Sequence, residues 1–311
     1  MLHESYRRQV TLLIKMIPLV AEEECFALKG GTAINLFVRN MPRLSVDIDL
    51  TYLPVASRPE SLASIDAALK RLAQRIRKTV SAAKVTFSET KPENTVVKLI
   101  VRQDRTQVKI EVTPVLRGCV YEPELRPVAE AVEEAFGFAE MPVVSFADLY
   151  AGKINAALDR QHPRDLFDVR DLLDKEGIGD DLRRAFVVYL VSQNRPLAEL
   201  LAPTRRPIGD EFLHGFDGMT DREVTLDELL ATREEMVASI VGCMPAQHRQ
   251  FLLSFETGTP DWQLLGVPGA HDLPAVRWRQ RNLETLAARE RARLVSQLES
   301  VFAAAPAYLT A

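Results

Sequence analysis

Apolar residues recur at helical spacing over residues 4–24, where Val10, Leu13, Ile14, Ile17 and Val20 form one stripe. A short apolar run at 25–28 stops at Lys29-Gly30-Gly31. Thr32 then opens a helix to Val38 that carries Ala33, Leu36 and Phe37. Residues 44–51 alternate as a strand does: Val46, Ile48 and Leu50 point one way, and Ser45, Asp47, Asp49 and Thr51 the other. A loop at 54–59 leads into a basic helix at 61–82. Strands are predicted at 84–88, 95–102 and 107–115, the last two forming a hairpin around the polar turn 103–106. From Ser145 onward the period is helical. Ser145 and Asp148 make a capping box for a helix to Arg160. His162-Pro163 breaks it, and a second helix at 164–176 stops at Gly177. Further helices are expected at 180–193, 225–241, 244–256 and 278–303, with the Gly/Pro-rich stretch 257–274 as a loop. The order predicts an α+β fold with two domains, a mixed one over 1–144 and an α-helical one over 145–311.

The chain has 311 residues, a length that suits two domains. At 47% hydrophobic and 26% charged it has the composition of a globular protein and not of a disordered one. Three widely spaced cysteines, Cys25, Cys119 and Cys243, imply no disulfide framework and suit a reducing compartment, so a cytoplasmic location is expected. The N-terminus lacks the pattern of a signal peptide, and no apolar run approaches the 18 or so residues of a membrane span, so no membrane partner is expected. A net charge of −4 excludes a globally basic nucleic-acid binder. The charge is uneven, however. Residues 68–109 hold eleven Lys/Arg against three Asp/Glu, and residues 122–140 hold six Glu against Arg126 alone. A basic stretch permits local contact with phosphates.

The chemistry concentrates at Gly30-Gly31-Thr32 and at the strand with Asp47 and Asp49. Two glycines at a helix N-terminus let backbone N–H groups approach an anion, and the helix dipole favours it. Asp47 and Asp49 share one face of their strand, where two carboxylates repel each other. A divalent cation held together with substrate phosphates relieves that repulsion. Glu111 follows mid-strand with the same alternation, flanked by Val108, Ile110 and Val112. A phosphate cradle, a carboxylate pair and a third carboxylate are the equipment of metal-assisted phosphoryl or nucleotidyl transfer. In the helical half, Lys153 lies mid-helix beside Gly152, on one face with Leu149 and Ala157, and either snorkels outward or points into a cleft. Asp165 and Asp168 share a face of the next helix. No G-x-x-x-x-G-K-[ST] occurs, and neither the histidines nor the cysteines have zinc-ligand spacing, which argues against a P-loop NTPase and a zinc hydrolase.

Gly30-Gly31-Thr32, the run from Arg43 to Leu50, Lys109-Ile110-Glu111-Val112, the Lys153 helix and Arg164-Asp165-Leu166-Phe167-Asp168 together resemble the AbiEii/AbiGii toxin family. These are nucleotidyltransferase-like toxins of type IV toxin–antitoxin and abortive-infection systems, related to the mycobacterial MenT toxins. The resemblance implies a DNA polymerase β-like nucleotidyltransferase core, completed by the helical domain at its active-site cleft. It also implies use of a nucleoside triphosphate with Mg²⁺ or Mn²⁺. The acceptor it implies is RNA, with the tRNA 3′ end first, which would block translation; a small molecule or a protein is the alternative. Gly30, Gly31, Thr32 and Ser45 would bind the nucleotide, Asp47 and Asp49 would hold metal with Glu111 as a third ligand, and Lys153 would reach the triphosphate. Asp165 and Asp168 complete the catalytic set. Ser45 matches a serine that relatives can use in autophosphorylation-type inactivation. An antitoxin encoded beside the toxin is the implied partner. The basic residues Lys70, Arg71, Arg75, Arg77 and Lys78 favour an RNA acceptor over a small molecule.

Overall fold

The computed structural model describes residues 4–304 apart from Asp221; residues 1–3 and 305–311 of the two expected domains lie outside the described residues. The chain forms two compact units, one of residues 1–145 with 218–223 and the other of 146–217 with 224–311.

The first unit is built on a seven-stranded mixed sheet. Its strands are β1 (Phe26–Lys29), β2 (Asp47–Tyr52), β3 (Lys84–Thr90), β4 (Thr95–Gln103), β5 (Thr106–Arg117), β6 (Glu124–Pro127) and β7 (Glu140–Val143), in the order β3-β4-β5-β2-β1-β7-β6. β2 runs parallel to β5 and antiparallel to β1, and β1 runs parallel to β7. The hairpin of β4 and β5 turns through Asp104, at φ 53°, a conformation that a short polar side chain tolerates. Helices α1 (Glu4–Ala21) and α3 (Arg58–Thr79) cover one face of the sheet. Their buried Leu13, Ile17, Leu69, Leu72 and Ile76 form a core with Ile48, Leu50, Val108 and Ile110, each such side chain stabilising by about 1.5–3 kcal/mol. Between β1 and β2, the short turn α2 (Gly30–Thr32) runs directly into a π-helical turn, Ala33–Val38.

β2 begins only at Asp47, three residues later than its alternation suggests. Leu44 is instead held from outside the strand ladder, its N–H donating to the Met219 carbonyl. The elements between 116 and 144 are not foreshadowed by periodicity. They are β6, α4 (Glu130–Phe136) and β7, and β7 places Met141 and Val143 in the core.

The second unit is helical: α5 (Phe146–Arg160), α6 (Pro163–Lys175), α7 (Asp180–Val191), α8 (Leu197–Leu201), α9 (Gly209–Gly215), α10 (Leu226–Val237), α11 (Ala246–Thr257), α12 (Pro274–Thr285) and α13 (Ala288–Ala304). α10 starts at a capping box of Thr225 and Glu228 and continues into a π-helical turn, Ala238–Gly242. The helix expected over 278–303 is two helices. Leu286 is extended, and the Arg291 guanidinium donates to the carbonyls of Leu283, Glu284 and Leu286, so α12 ends on a side chain of α13. α5 packs on α6 and α7. Gly152 faces α7, where a Cβ would make an ordinary contact of 3.4 Å with the Tyr189 ring.

Candidate active site

In the first unit the sheet register sets the chemistry. Lys29 pairs with Asp49, Asp49 with Glu111, and Glu111 with Lys98, which makes a row of four charged residues across β1, β2, β5 and β4. Asp47 lies one step along, opposite Lys109. All of them stand on the face opposite Ile48 and Ile110. The two aspartates are therefore brought together as expected, but each carboxylate position has a lysine at hand. Lys109 Nζ is 3.0 Å from Asp47 Oδ2 and Lys98 Nζ is 2.8 Å from Glu111 Oε2. Lys29 donates to Thr113 Oγ1 at 2.9 Å. Burial pushes the Lys29 ammonium below its usual range, while Asp49, Cys119 and Glu111 pull the other way.

The Gly30-Gly31 turn lies against these carboxylates. Gly30 has φ 76°, and a Cβ there would stand 2.7 Å from Asp49 Oδ2. A Cβ on Gly31 would meet Arg43 Nη2 at 2.8 Å and Ser45 Oγ at 2.9 Å. Gly30 needs glycine for its left-handed backbone, whereas a Cβ at Gly31 would require the Arg43 guanidinium and the Ser45 hydroxyl to move. Thr32 behaves differently from the expectation. Its buried hydroxyl donates to the Asp47 carbonyl at 2.5 Å and lies 3.0 Å from Ser45 Oγ. The side chain thus ties the turn to the start of β2, and its hydroxyl is occupied within the protein.

The donor set fits a divalent cation in part. Asp47 and Asp49 are half-exposed hard oxygen donors on one face beside the glycine turn, which suits an ion that substrate phosphates complete. Glu111 stands beside Asp49 in register, on the same face of the sheet. Its carboxylate is paired with Lys98, and among the described residues no three of His, Cys, Asp and Glu are arranged to hold a metal ion.

In the second unit α5 and α6 bring Lys153, Asp165 and Asp168 into one buried cluster. Lys153 Nζ lies 2.9 Å from Asp165 Oδ1 and 2.9 Å from Asp168 Oδ2. Arg160, at the end of α5, grips Asp165 with Nε at 2.5 Å and Nη2 at 2.9 Å. Burial alone would raise the Asp165 carboxyl, but Lys153 and Arg160 outweigh it and hold it well below the usual carboxylate range. Lys153 is 7% exposed, so it does not snorkel. The break between the helices is built by His162, whose Nδ1 accepts from the Arg164 N–H, and by Gln161 at φ 52°.

Two further residues belong to these sites and carried no assigned role in the sequence. Arg43 is a buried cation under Gly31, and Arg160 is the second partner of Asp165. The signal for Arg160 was available, because it stands five residues before Asp165 across a Pro-induced break. The basic helix gives the opposite lesson. Arg71 lies 2.5 Å from Glu23 Oε2, Arg75 reaches Glu22, Glu23 and the Leu19 carbonyl, Lys70 pairs with Asp66, and Arg77 donates to the Val85 carbonyl. Arg71, Arg75 and Arg77 fasten α3 to neighbouring elements, while the Lys70–Asp66 pair lies within the helix.

None of the curated proteins compared with this chain matches it. Among solved structures, the nucleotidyltransferase toxin MenT4 from Mycobacterium tuberculosis H37Rv is similar, with a TM-score of 0.57 and 18% identity over 95% of each chain. That likeness is one of fold. Residues 11–282 match the family described as the nucleotidyl transferase AbiEii toxin of type IV toxin–antitoxin systems. The sequence match spans both the sheet with Asp47 and Asp49 and the helices with Lys153, Asp165 and Asp168, and so the chain belongs to the AbiEii nucleotidyltransferase toxin family.

Proposed function

We propose that this nucleotidyltransferase takes its nucleotide from a nucleoside triphosphate and transfers it to RNA, with the tRNA 3′ end as the acceptor, and so stops translation. The observation that carries the nucleotide site is the Gly30-Gly31 turn lying within side-chain contact of Asp49 and Ser45, next to Asp47. The glycine backbone and the buried Arg43 give the triphosphate an electropositive seat, and Ser45 adds a hydroxyl at its edge. Asp47 and Asp49 would hold Mg²⁺ or Mn²⁺, which when bound offsets negative charge on the phosphates. Lys109 and Lys29 keep the two aspartates from repelling each other when no substrate is present. Lys153, Asp165 and Asp168 form the second set of residues on which we expect transfer to depend.

An acceptor other than RNA is favoured by one observation: the arginines of α3 are engaged within the protein. Incubation with each labelled nucleoside triphosphate, with total tRNA and with the protein alone, separates the readings. Label appearing on tRNA supports the first. Label appearing only on protein, or none on any acceptor, overturns it. A partner antitoxin encoded beside the gene is part of the same proposal, and co-expression with it should relieve growth arrest. Among the described residues no helix is long and apolar enough to cross a membrane.

A further inference from the structure

The second unit carries a basic stretch that the site above does not use. Residues 277–293 hold six arginines against Glu284 and Glu290. Three of the six are committed. Arg277 pairs with Asp272, Arg279 is buried against Glu256, and Arg291 caps α12. Arg281, Arg289 and Arg293 are exposed, and none of them has a hydrogen-bond or ion-pair partner among the described residues.

Trp278 shares α12 with Arg281. It is 44% exposed, has no ring or cation partner among the described residues, and lies one turn from Arg281 on α12. The fully buried side of the same helix is formed by Ala275, Val276 and Leu283, to which Trp278 does not belong. The other tryptophan, Trp262, is stacked against Phe251, Phe255 and His271. An exposed indole one helical turn from a free guanidinium group, with further free arginines at the start of the next helix, is a combination suited to single-stranded nucleic acid: a base stacks on the ring, and the cations take the flanking phosphates whatever the sequence.

We propose that Trp278 and Arg281 of α12, with Arg289 and Arg293 of α13, form a sequence-tolerant surface for single-stranded RNA. The inference deepens the RNA reading and rests on it only for the identity of the acceptor. It replaces α3 as the place where RNA is held.

The test is a titration of the full chain with a short oligouridylate, without nucleotide or metal, read by tryptophan emission. RNA should quench the emission of the wild type. Trp278→Ala should lose the quench and bind about tenfold more weakly, and Trp278→Phe should recover most of the affinity. Replacing Arg281, Arg289 and Arg293 together by Ala should flatten the salt dependence by about two logarithmic units per decade. All four side chains are exposed, and an unchanged circular dichroism spectrum confirms that the variants fold. No binding by the wild type, or quenching and affinity that survive in Trp278→Ala, overturns the proposal. Labelling of tRNA is scored separately. RNA binding through Trp278 with no transfer to tRNA would overturn the acceptor reading and leave this surface standing. Transfer to tRNA that ignores Trp278 would do the reverse.

Discussion

Lys153 and Asp165 form a buried ion pair at 2.9 Å, and Asp168 holds the same ammonium from the other side. One cation thus serves two carboxylates that are each 1% exposed. Removing it takes a buried ammonium from both carboxylates and leaves Arg160 to hold Asp165, which is costlier than losing a surface pair. Lys153→Ala should therefore lower unfolding free energy by about 3 kcal/mol, measured by urea denaturation, as well as reduce transfer. Lys153→Arg should recover more stability than activity. An alanine variant as stable as wild type would show that the cluster is open to solvent.

Asp47→Asn and Asp49→Asn remove charge from half-exposed positions without changing volume. Transfer should fall at least a hundredfold, about 2.7 kcal/mol of barrier, with the thermal midpoint nearly unchanged. The Lys109–Asp47 pair is well exposed and contributes little stability of its own. Near-wild-type transfer in either asparagine variant would remove that aspartate from the site.

Gly30→Ala combines a left-handed backbone with a contact of 2.7 Å to Asp49 Oδ2. A loss of about 1–2 kcal/mol is expected from the backbone alone. Displacement of Asp49 should reduce transfer further. Gly137→Ala is the control: it shares a positive φ, but a Cβ there meets nothing within 4 Å. Equal loss of transfer in both variants would argue against the Asp49 contact.

Arg71→Ala with Arg75→Ala should destabilise the first unit by about 2 kcal/mol, because the Glu23 side chain, 4% exposed, loses both partners. RNA affinity and its salt slope should not move. A flattened slope would return α3 to the RNA surface.

His248 gives the second unit a pH dependence. It is 2% exposed, and neither ring nitrogen has a hydrogen-bond partner among the described residues. Burial holds its imidazole below the usual range; Arg183 and Arg184 act in the same direction, and Asp180 opposes them. The folded chain therefore binds this proton less readily than the unfolded one. Stability is retained above the unfolded value of about 6.5 and is lost as pH falls below it. Denaturant midpoints at pH 7.5 and 5.5 should differ for wild type, and the difference should shrink in His248→Leu.

What the sequence revealed was local. The alternation of Ile48 and Leu50 with Asp47 and Asp49 fixed which residues face the site, and the double glycine marked a close approach. The pairing of each carboxylate with a lysine depends on register between strands, Lys109 with Asp47 across 62 residues and Lys98 with Glu111 across the β4–β5 hairpin, and periodicity along one strand does not reveal it. β7 escaped notice because a four-residue strand containing Pro142 leaves no period to detect. The basic residues of α3 count as one charged run, and Glu22 and Glu23, some fifty positions earlier, pair with Arg71 and Arg75 among them.

Leu44 hydrogen-bonds to Met219, and Arg43 bridges to Thr220, in a six-residue excursion that belongs to the first unit although it lies far along the chain. The polypeptide therefore passes from one unit to the other three times. Neither unit is a cassette that one cut could release. A fragment ending at Ser145 would lack the segment that steadies Arg43 beneath the glycine turn, so gene fusion or recombination at that point would divide the nucleotide site we propose.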